Sequence, residues 1–394
     1  MNYKLPAAVA AAVLAGSVSA ADITMFGFLD QGLAYIHEDL NAGMAAPVGQ
    51  SAAASILQSN GKVGAAGTKT GLSQGTGNVS TWGMKGSEKL TDDLDVVFHL
   101  ESGFLADDGT FYGGSTMFER ESTLGLRSKT FGELKAGRMP ALTTGSGTTG
   151  IFNSRVNPFG AGWGNMTGGW KFSGTLAQAR WNNMINWISP SWRGVRLYAQ
   201  HSLGNKSGAD EGSVRVDRWS AVGASVTDDR YYFAAAVDWI KAGSANTAGQ
   251  AGKDAWKALA GGHWKVDDDV KVFGTVQYLK NVPWIGGYST KEWAPRANKE
   301  MLNMGFEAWA LATGLDWKVA GGTVKASVAY AWGENQNVDS DNKMKRANAG
   351  LGYVYPLSRR TSVYAIGGWF WQDADWQDSS ISAHEAIVGL MHRF

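Results

Sequence analysis

The chain ends on the segment HEAIVGLMHRF, and in an extended strand its alternate residues separate onto two faces. Phe394, His392, Leu390, Val388 and Ala386 fall on one side, and Arg393, Met391, Gly389, Ile387 and Glu385 on the other. The same period of two begins at Asp22, where DITMFGFLDQGLAY sets Ile23, Met25, Leu29, Leu33 and Tyr35 against Thr24, Asp30 and Gly32. DLDVVFHLESGF then sets Leu94, Val96, Phe98, Leu100 and Phe104 against Asp95, His99 and Glu101. Sixteen such segments run from 22–36 to 383–394, each with one apolar and one polar face. No apolar run after residue 20 approaches the roughly 20 residues of a membrane helix, so any membrane crossing must use strands. A sheet facing hydrocarbon cannot leave an edge of unpaired backbone groups, which predicts a closed barrel whose last strand pairs with its first.

The segment MNYKLPAAVAAAVLAGSVSA reads as a secretory signal peptide, residues 1–20, with Lys4 ahead of a short apolar core and Val18 and Ala20 before the cleavage point. Cleavage after Ala21 also fits. Its removal leaves 21–394 with 35 basic side chains, one fewer than the full count, against 35 acidic ones, so no bulk charge draws nucleic acid. With 0 Cys, neither disulfides nor thiolate metal sites are available. Connections such as KLTDDL, TDDR and VAGG are short, whereas 37–77, 139–177, 242–254 and 281–304 are long, which is the layout of an outer-membrane barrel. Trp82, Trp181, Trp187, Trp239, Trp264, Trp309, Trp317 and Trp332 are expected on the lipid face near one end. A soluble β-sandwich or propeller remains the alternative for this alternation.

Six segments in register carry a resemblance that covers almost the whole mature chain. They are FGFLDQGLAY, WGMKGSEKLTDDLDVVFHLESGF, STLGLRSKTFGELKAGR, RWNNMINWISPSWRG, YPLSRRTSVY and the terminal VGLMHRF. In these the chain resembles the Gram-negative general diffusion porins of the β-proteobacterial type. The resemblance implies an all-β fold: a transmembrane antiparallel barrel of 16 strands, trimeric, with the third loop folded into the lumen. Here that constriction loop is 139–177. The family's loop usually carries acids around a Pro-Phe-Gly core, but NPFGAGWGN stands in a stretch with no Asp or Glu from Met139 to Arg180. The resemblance also implies an arginine pointing into the pore at Arg138 and at Arg120, and a terminal Phe394 that serves as the signal for barrel assembly.

Alternation supplies its own candidates. Arg180 shares parity with Asn182 and Asn186, opposite Trp181, Ile185 and Trp187, and reads as a lumen residue; an interfacial arginine on a headgroup phosphate is the competing reading. Lys85 lies opposite Trp82 and Met84 and reads as lumenal. Parity opposes the family's implication at Arg138, which shares a face with Leu134 and Ala136, and at Arg120, which shares one with Leu124 and Leu126; a bend at Met139 and Pro140 would turn Arg138 inward. Within the loop Arg155 and Lys171 are the only charges, so its field favours anions: two unit charges about 6 Å apart in water interact by roughly 0.7 kcal/mol, and three or four cations bias entry by about 2 kcal/mol before screening. Asp30, Asp95, Glu101, Asp238 and Asp316 read as lumenal acids that temper this preference, with Asp30 and Glu101 placed at the constriction.

Chemistry other than passage finds little support. GSGTTG at 145–150 matches a dinucleotide fingerprint in letters, without the strand and helix that give it meaning. The six histidines show no pair at metal spacing, and His201 beside Ser202 is the only adjacency a hydrolase could use. The expected protein is an outer-membrane channel for small hydrophilic solutes and ions, a homotrimer among outer-membrane lipid and lipopolysaccharide, delivered by the barrel assembly machinery, with no cofactor and no enzymatic step. Two alternatives stay open: a substrate-specific channel with an aromatic track near Trp163, Trp170 and Trp284 for a sugar or organic acid, and a barrel plugged by its third loop.

Overall fold

The computed structural model describes residues 22–39, 67–112, 116–144, 147–160, 163, 167, 180–204, 216–243, 254–282, 284–285, 288–289, 305–336, 341–375 and 380–394. Its strands are β1 (Asp22–Asp39), β2 (Gly67–Gln74), β3 (Thr81–Lys89), β4 (Leu94–Gly103), β5 (Glu121–Ser128), β6 (Gly132–Pro140), β7 (Arg180–Ile188), β8 (Val195–Ser202), β9 (Arg218–Thr227), β10 (Tyr231–Lys241), β11 (Ala255–Lys265), β12 (Val270–Val282), β13 (Trp284–Ile285), β14 (Tyr288–Ser289), β15 (Phe306–Val319), β16 (Gly322–Asn335), β17 (Lys343–Pro356), β18 (Thr361–Ala374) and β19 (Ile381–Arg393). One short helix, α1 (Asn153–Val156), interrupts the connection between β6 and β7.

Every strand of the 17-stranded sheet pairs antiparallel with its neighbours, and β19 returns to β1. β1 is long enough to serve two partners on its other edge: Asp22 to Phe28 pair with β3, and Gln31 to Glu38 pair with β2. β2 and β3 are therefore one stave broken at 75–80, and the closed barrel has sixteen staves. The β2 part falls inside the stretch that the sequence reading assigns wholly to a loop. GTKTGLSQ lacks the alternation of large apolar residues that marks the other strands, so only its pairing with β1 reveals it.

Closure is completed by the last residue. Gly27 and Phe394 exchange both backbone hydrogen bonds at 3.1 Å, which removes the edge that lipid would otherwise meet. The far end of the Phe394 ring lies against Gly27, where an added Cβ would come within 2.0 Å of it, so the seam needs a residue without a side chain at that position.

The two faces follow the sequence. Ile23, Met25, Leu33 and Leu390 are exposed to the outside, while Asp30, Ala34, Ile36 and Ile387 are buried on the inside. Trp239, Trp264, Trp309, Trp317 and Trp332 are outward as expected, but they form two belts rather than one. Trp239 pairs with Trp256, and Trp309 with both Tyr278 and Trp332, at the end of the long connections; Trp264 pairs with Tyr231, and Trp317 with Val270, at the end of the short ones. Trp181 leaves the lipid face altogether. A bulge opposite Gly137 and Met139 inserts an extra residue in β7, with Asn183 at φ 52°, and reverses the parity above it. Trp181 is thereby turned inward, fully buried, and stacks on Trp219 at 6.0 Å.

Candidate functional site

The connection from β6 to β7 runs along the inner wall, and its described residues are pinned there in chain order. Leu142 N–H donates to Gln200 Oε1 at 2.6 Å, and the Thr143 hydroxyl donates to Asp238. The Ile151 carbonyl accepts from the Tyr232 hydroxyl at 2.6 Å, the Arg155 carbonyl from His263 Nδ1 at 2.8 Å, and the Val156 carbonyl from the Thr275 hydroxyl at 3.0 Å. Further on, the Pro158 carbonyl accepts from Lys325 Nζ at 2.9 Å and the Thr167 carbonyl from the Ser327 hydroxyl at 2.7 Å, and Trp163 meets Tyr364 edge-on at 5.3 Å. These partners lie on β8, β10, β11, β12, β16 and β18, so the loop covers one side of the interior.

Apolar contacts hold it there. Leu142, Phe152 and Val156 bury against Trp181, Trp219, Tyr232, Leu259 and Phe306 in one cluster, and Phe159 buries against Ile36, Ile366 and Phe370 in a second. Each fully buried side chain of this size contributes about 1.5–3 kcal/mol. Two of the letters in GSGTTG serve as anchors: Thr148 Oγ1 donates to Glu121, and Thr149 Oγ1 to the Pro140 carbonyl at 2.5 Å. Gly147, at φ 71°, makes the tight turn against Pro140.

Opposite this covered side stands a charged strip on β3 to β7. Arg120, Arg138 and Arg180 meet at its upper end. Arg120 Nε donates to Glu101 Oε1 at 2.5 Å, Arg180 Nε to the Arg120 carbonyl at 3.0 Å, and Arg138 to the Glu119 carbonyl and to Asn182 Oδ1, both at 2.6 Å. Arg180 lies within electrostatic reach of the other two arginines and of Glu101 and Glu119. Parity bears differently on the two arginines that the family resemblance implies. Arg120 precedes the first residue of β5, so strand alternation does not bind it, whereas Arg138 pairs with Ser122 and keeps the face of Leu134 and Ala136, opposite the buried Lys135 and Met139. Arg180 keeps parity with Asn182, but the bulge that turns Trp181 inward separates both of them from the face of Asn186 that they were expected to share. Glu119, outside the strands, is held up from its ordinary carboxyl range by burial, against the opposing pull of the Gly103 N–H and the arginines.

Lower on the strip, Lys85 is exposed on the inner face, aligned with Thr24 and His99 and 5.6 Å from the Phe26 ring centroid. Lys135, which the sequence reading did not single out, bonds Glu121 at 3.2 Å and Thr148 at 2.7 Å, tying the strip to the loop. Its parity with Glu133 on β6 was the available signal. Arg155 stands exposed on α1, its guanidinium 5.0 Å above the Tyr232 ring. Lys171 and Trp170 lie outside the described residues.

The acids behave differently from the sequence expectation. Asp30 is fully enclosed: Oδ2 accepts from Gly77 N–H at 2.5 Å and Asn78 N–H at 3.1 Å, and Oδ1 from the Tyr364 hydroxyl at 2.8 Å. It organises the break between β2 and β3 and presents no charge to the constriction. Asp238 is buried beside Lys257 at 3.9 Å, and Asp316 lies between Lys325 at 2.9 Å and Lys271 at 3.3 Å. Glu101 is inward as read, engaged by Arg120 and by His99 at 3.3 Å. His201 and Ser202 point to opposite faces, His201 to Ser220 and Ser202 to the Asn182 carbonyl, so their adjacency makes no catalytic pair.

Comparison with known proteins agrees with the barrel fold. The model of the Gram-negative porin family matches residues 7–375. An outer membrane porin of Bordetella pertussis is 29% identical, the match covering 98% of each chain, and outer membrane porin protein 32 of Delftia acidovorans is 26% identical over 90% of this chain and 86% of its own. The fold is similar to that of an anion-selective porin from Comamonas acidovorans, with a TM-score of 0.66 at 19% identity over 95% of this chain and 100% of that one.

Proposed function

The chain belongs to the Gram-negative porin family, and from that premise we propose that its outer-membrane diffusion channel prefers small hydrophilic anions, with 139–177 as the constriction. One observation carries the preference. The inward acids Asp30, Glu101, Asp238 and Asp316 are each engaged by cations or backbone N–H groups, while Arg155 and Lys85 form no salt bridge among the described residues and the loop contributes no acid to oppose them. Solutes pass without a chemical step, and the protein is no enzyme. The name of the Comamonas relative supports the same preference by analogy.

Residues 1–20 are removed as a signal peptide, the mature barrel assembles as a homotrimer among lipid and lipopolysaccharide, and Phe394 is the mark by which the assembly machinery accepts it. An aromatic track for a specific sugar gains no support from Trp163, which is packed between Phe159 and Tyr364. The reversal potential of a planar bilayer under a salt gradient tests the proposal: its sign must report chloride as the more permeant ion, and potassium preference overturns it.

A further inference from the structure

Sequence spacing offers no histidine pair, yet closure of the barrel makes one. The register that joins Gly27 to Phe394 continues up the seam and sets His37 directly opposite His384. Both side chains are on the outward face, beyond Tyr35, which is the last apolar residue of the row that starts at Ile23. They stand past the apolar band, where water reaches. Their ring centroids are 5.0 Å apart at an interplanar angle of 34°, and His37 Nδ1 is bonded to Thr68 Oγ1 at 2.8 Å.

We propose that His37 and His384 form a two-histidine site for a borderline divalent cation such as Cu2+, Zn2+ or Ni2+, clasping the first and last staves of the barrel. Imidazole suits these ions, and directly opposed residues of an antiparallel pair hold two rings at a separation that one ion can bridge. With Nδ1–H donating to Thr68, His37 presents the Nε2 lone pair that a metal needs, and the hydroxyl fixes the ring. Water completes the coordination shell. Thr68 belongs to β2, so three strands meet at the site: β1 and β19 supply ligands and β2 orients one of them. The ion would lock the long-loop end of the seam as Phe394 locks the opposite end. An ion bound only by the closed barrel must stabilise it.

The test uses the folded barrel in detergent, with Cu2+ or Zn2+ as the only added ligand. One ion per chain binds the wild type. His37→Ala and His384→Ala each weaken binding by about tenfold or more, Thr68→Val by about tenfold, and His201→Ala leaves it unchanged. Zn2+ raises the unfolding temperature of the wild type and not of the two alanine variants. Undiminished binding in His37→Ala, or one ion bridging two chains, overturns the proposal. If an alanine variant fails to fold, the Cu2+ electron paramagnetic resonance spectrum of the wild type decides: coupling to two imidazole nitrogens supports the site, and coupling to one or none refutes it.

Discussion

The inner wall of this barrel has two sides built by the same alternation and put to opposite uses. On β9, β10, β11, β15 and β18 the inward residues are Trp219, Tyr232, Ala234, Ala236, Leu259, Phe306 and Phe370, and the third loop buries them as a protein core does. On β3 to β7 the inward residues include Lys85, His99, Glu101, Glu121 and Lys135, and charge lies beside the water path. Strand periodicity separates inside from outside, but it is the loop that separates dry from wet. Acids show the difference best: Asp238, on the covered side, is spent on anchoring Thr143, whereas Glu101, on the other, neutralises Arg120 in the strip itself.

Substitutions on the covered side should have the larger effects. Phe152→Ala or Phe159→Ala opens a cavity in a buried cluster and should cost about 3–5 kcal/mol, releasing the loop; limited proteolysis and a rise in single-channel conductance would report it. Lys257→Met leaves Asp238 buried without its cation, a loss of about 3–5 kcal/mol measurable by thermal unfolding. On the charged strip the fold should survive and selectivity should move. Lys85→Ala removes one cation that attracts chloride and repels potassium by roughly 0.7 kcal/mol each, so the chloride-to-potassium permeability ratio should fall by up to about tenfold, less at high salt.

Smaller still is Glu119→Gln. Because burial raises the folded-state value of this carboxyl, its protonated form is the one the fold favours: that contribution is complete below the unfolded value and is lost as pH rises through the folded one. The variant should therefore unfold slightly later than the wild type at neutral pH, with the difference vanishing in acid.

Much of this arrangement can be read from the residues, and the failures have physical causes. Ile23 to Tyr35 by twos, the short turns and the terminal Phe394 specify a closed barrel because lipid forbids any other use of such strands. Trp181 was misread because one bulge at Asn183 reverses parity, and no residue type announces a bulge. β2 escaped because its partner lies across a long connection. Asp30 reads as a lumenal charge, yet only the folded positions of Gly77, Asn78 and Tyr364 show that it is enclosed. His37 and His384 meet only through the closure register, which local spacing does not contain.

The contrast between the two sides is tested most directly by thiol accessibility, since the chain has 0 Cys. Lys85→Cys should react promptly with a charged, water-soluble thiol reagent and lose current on modification, whereas Ala236→Cys, beneath the loop, should stay unreactive with its current intact. Equal reactivity at the two positions would show that water fills both sides, and would contradict the account.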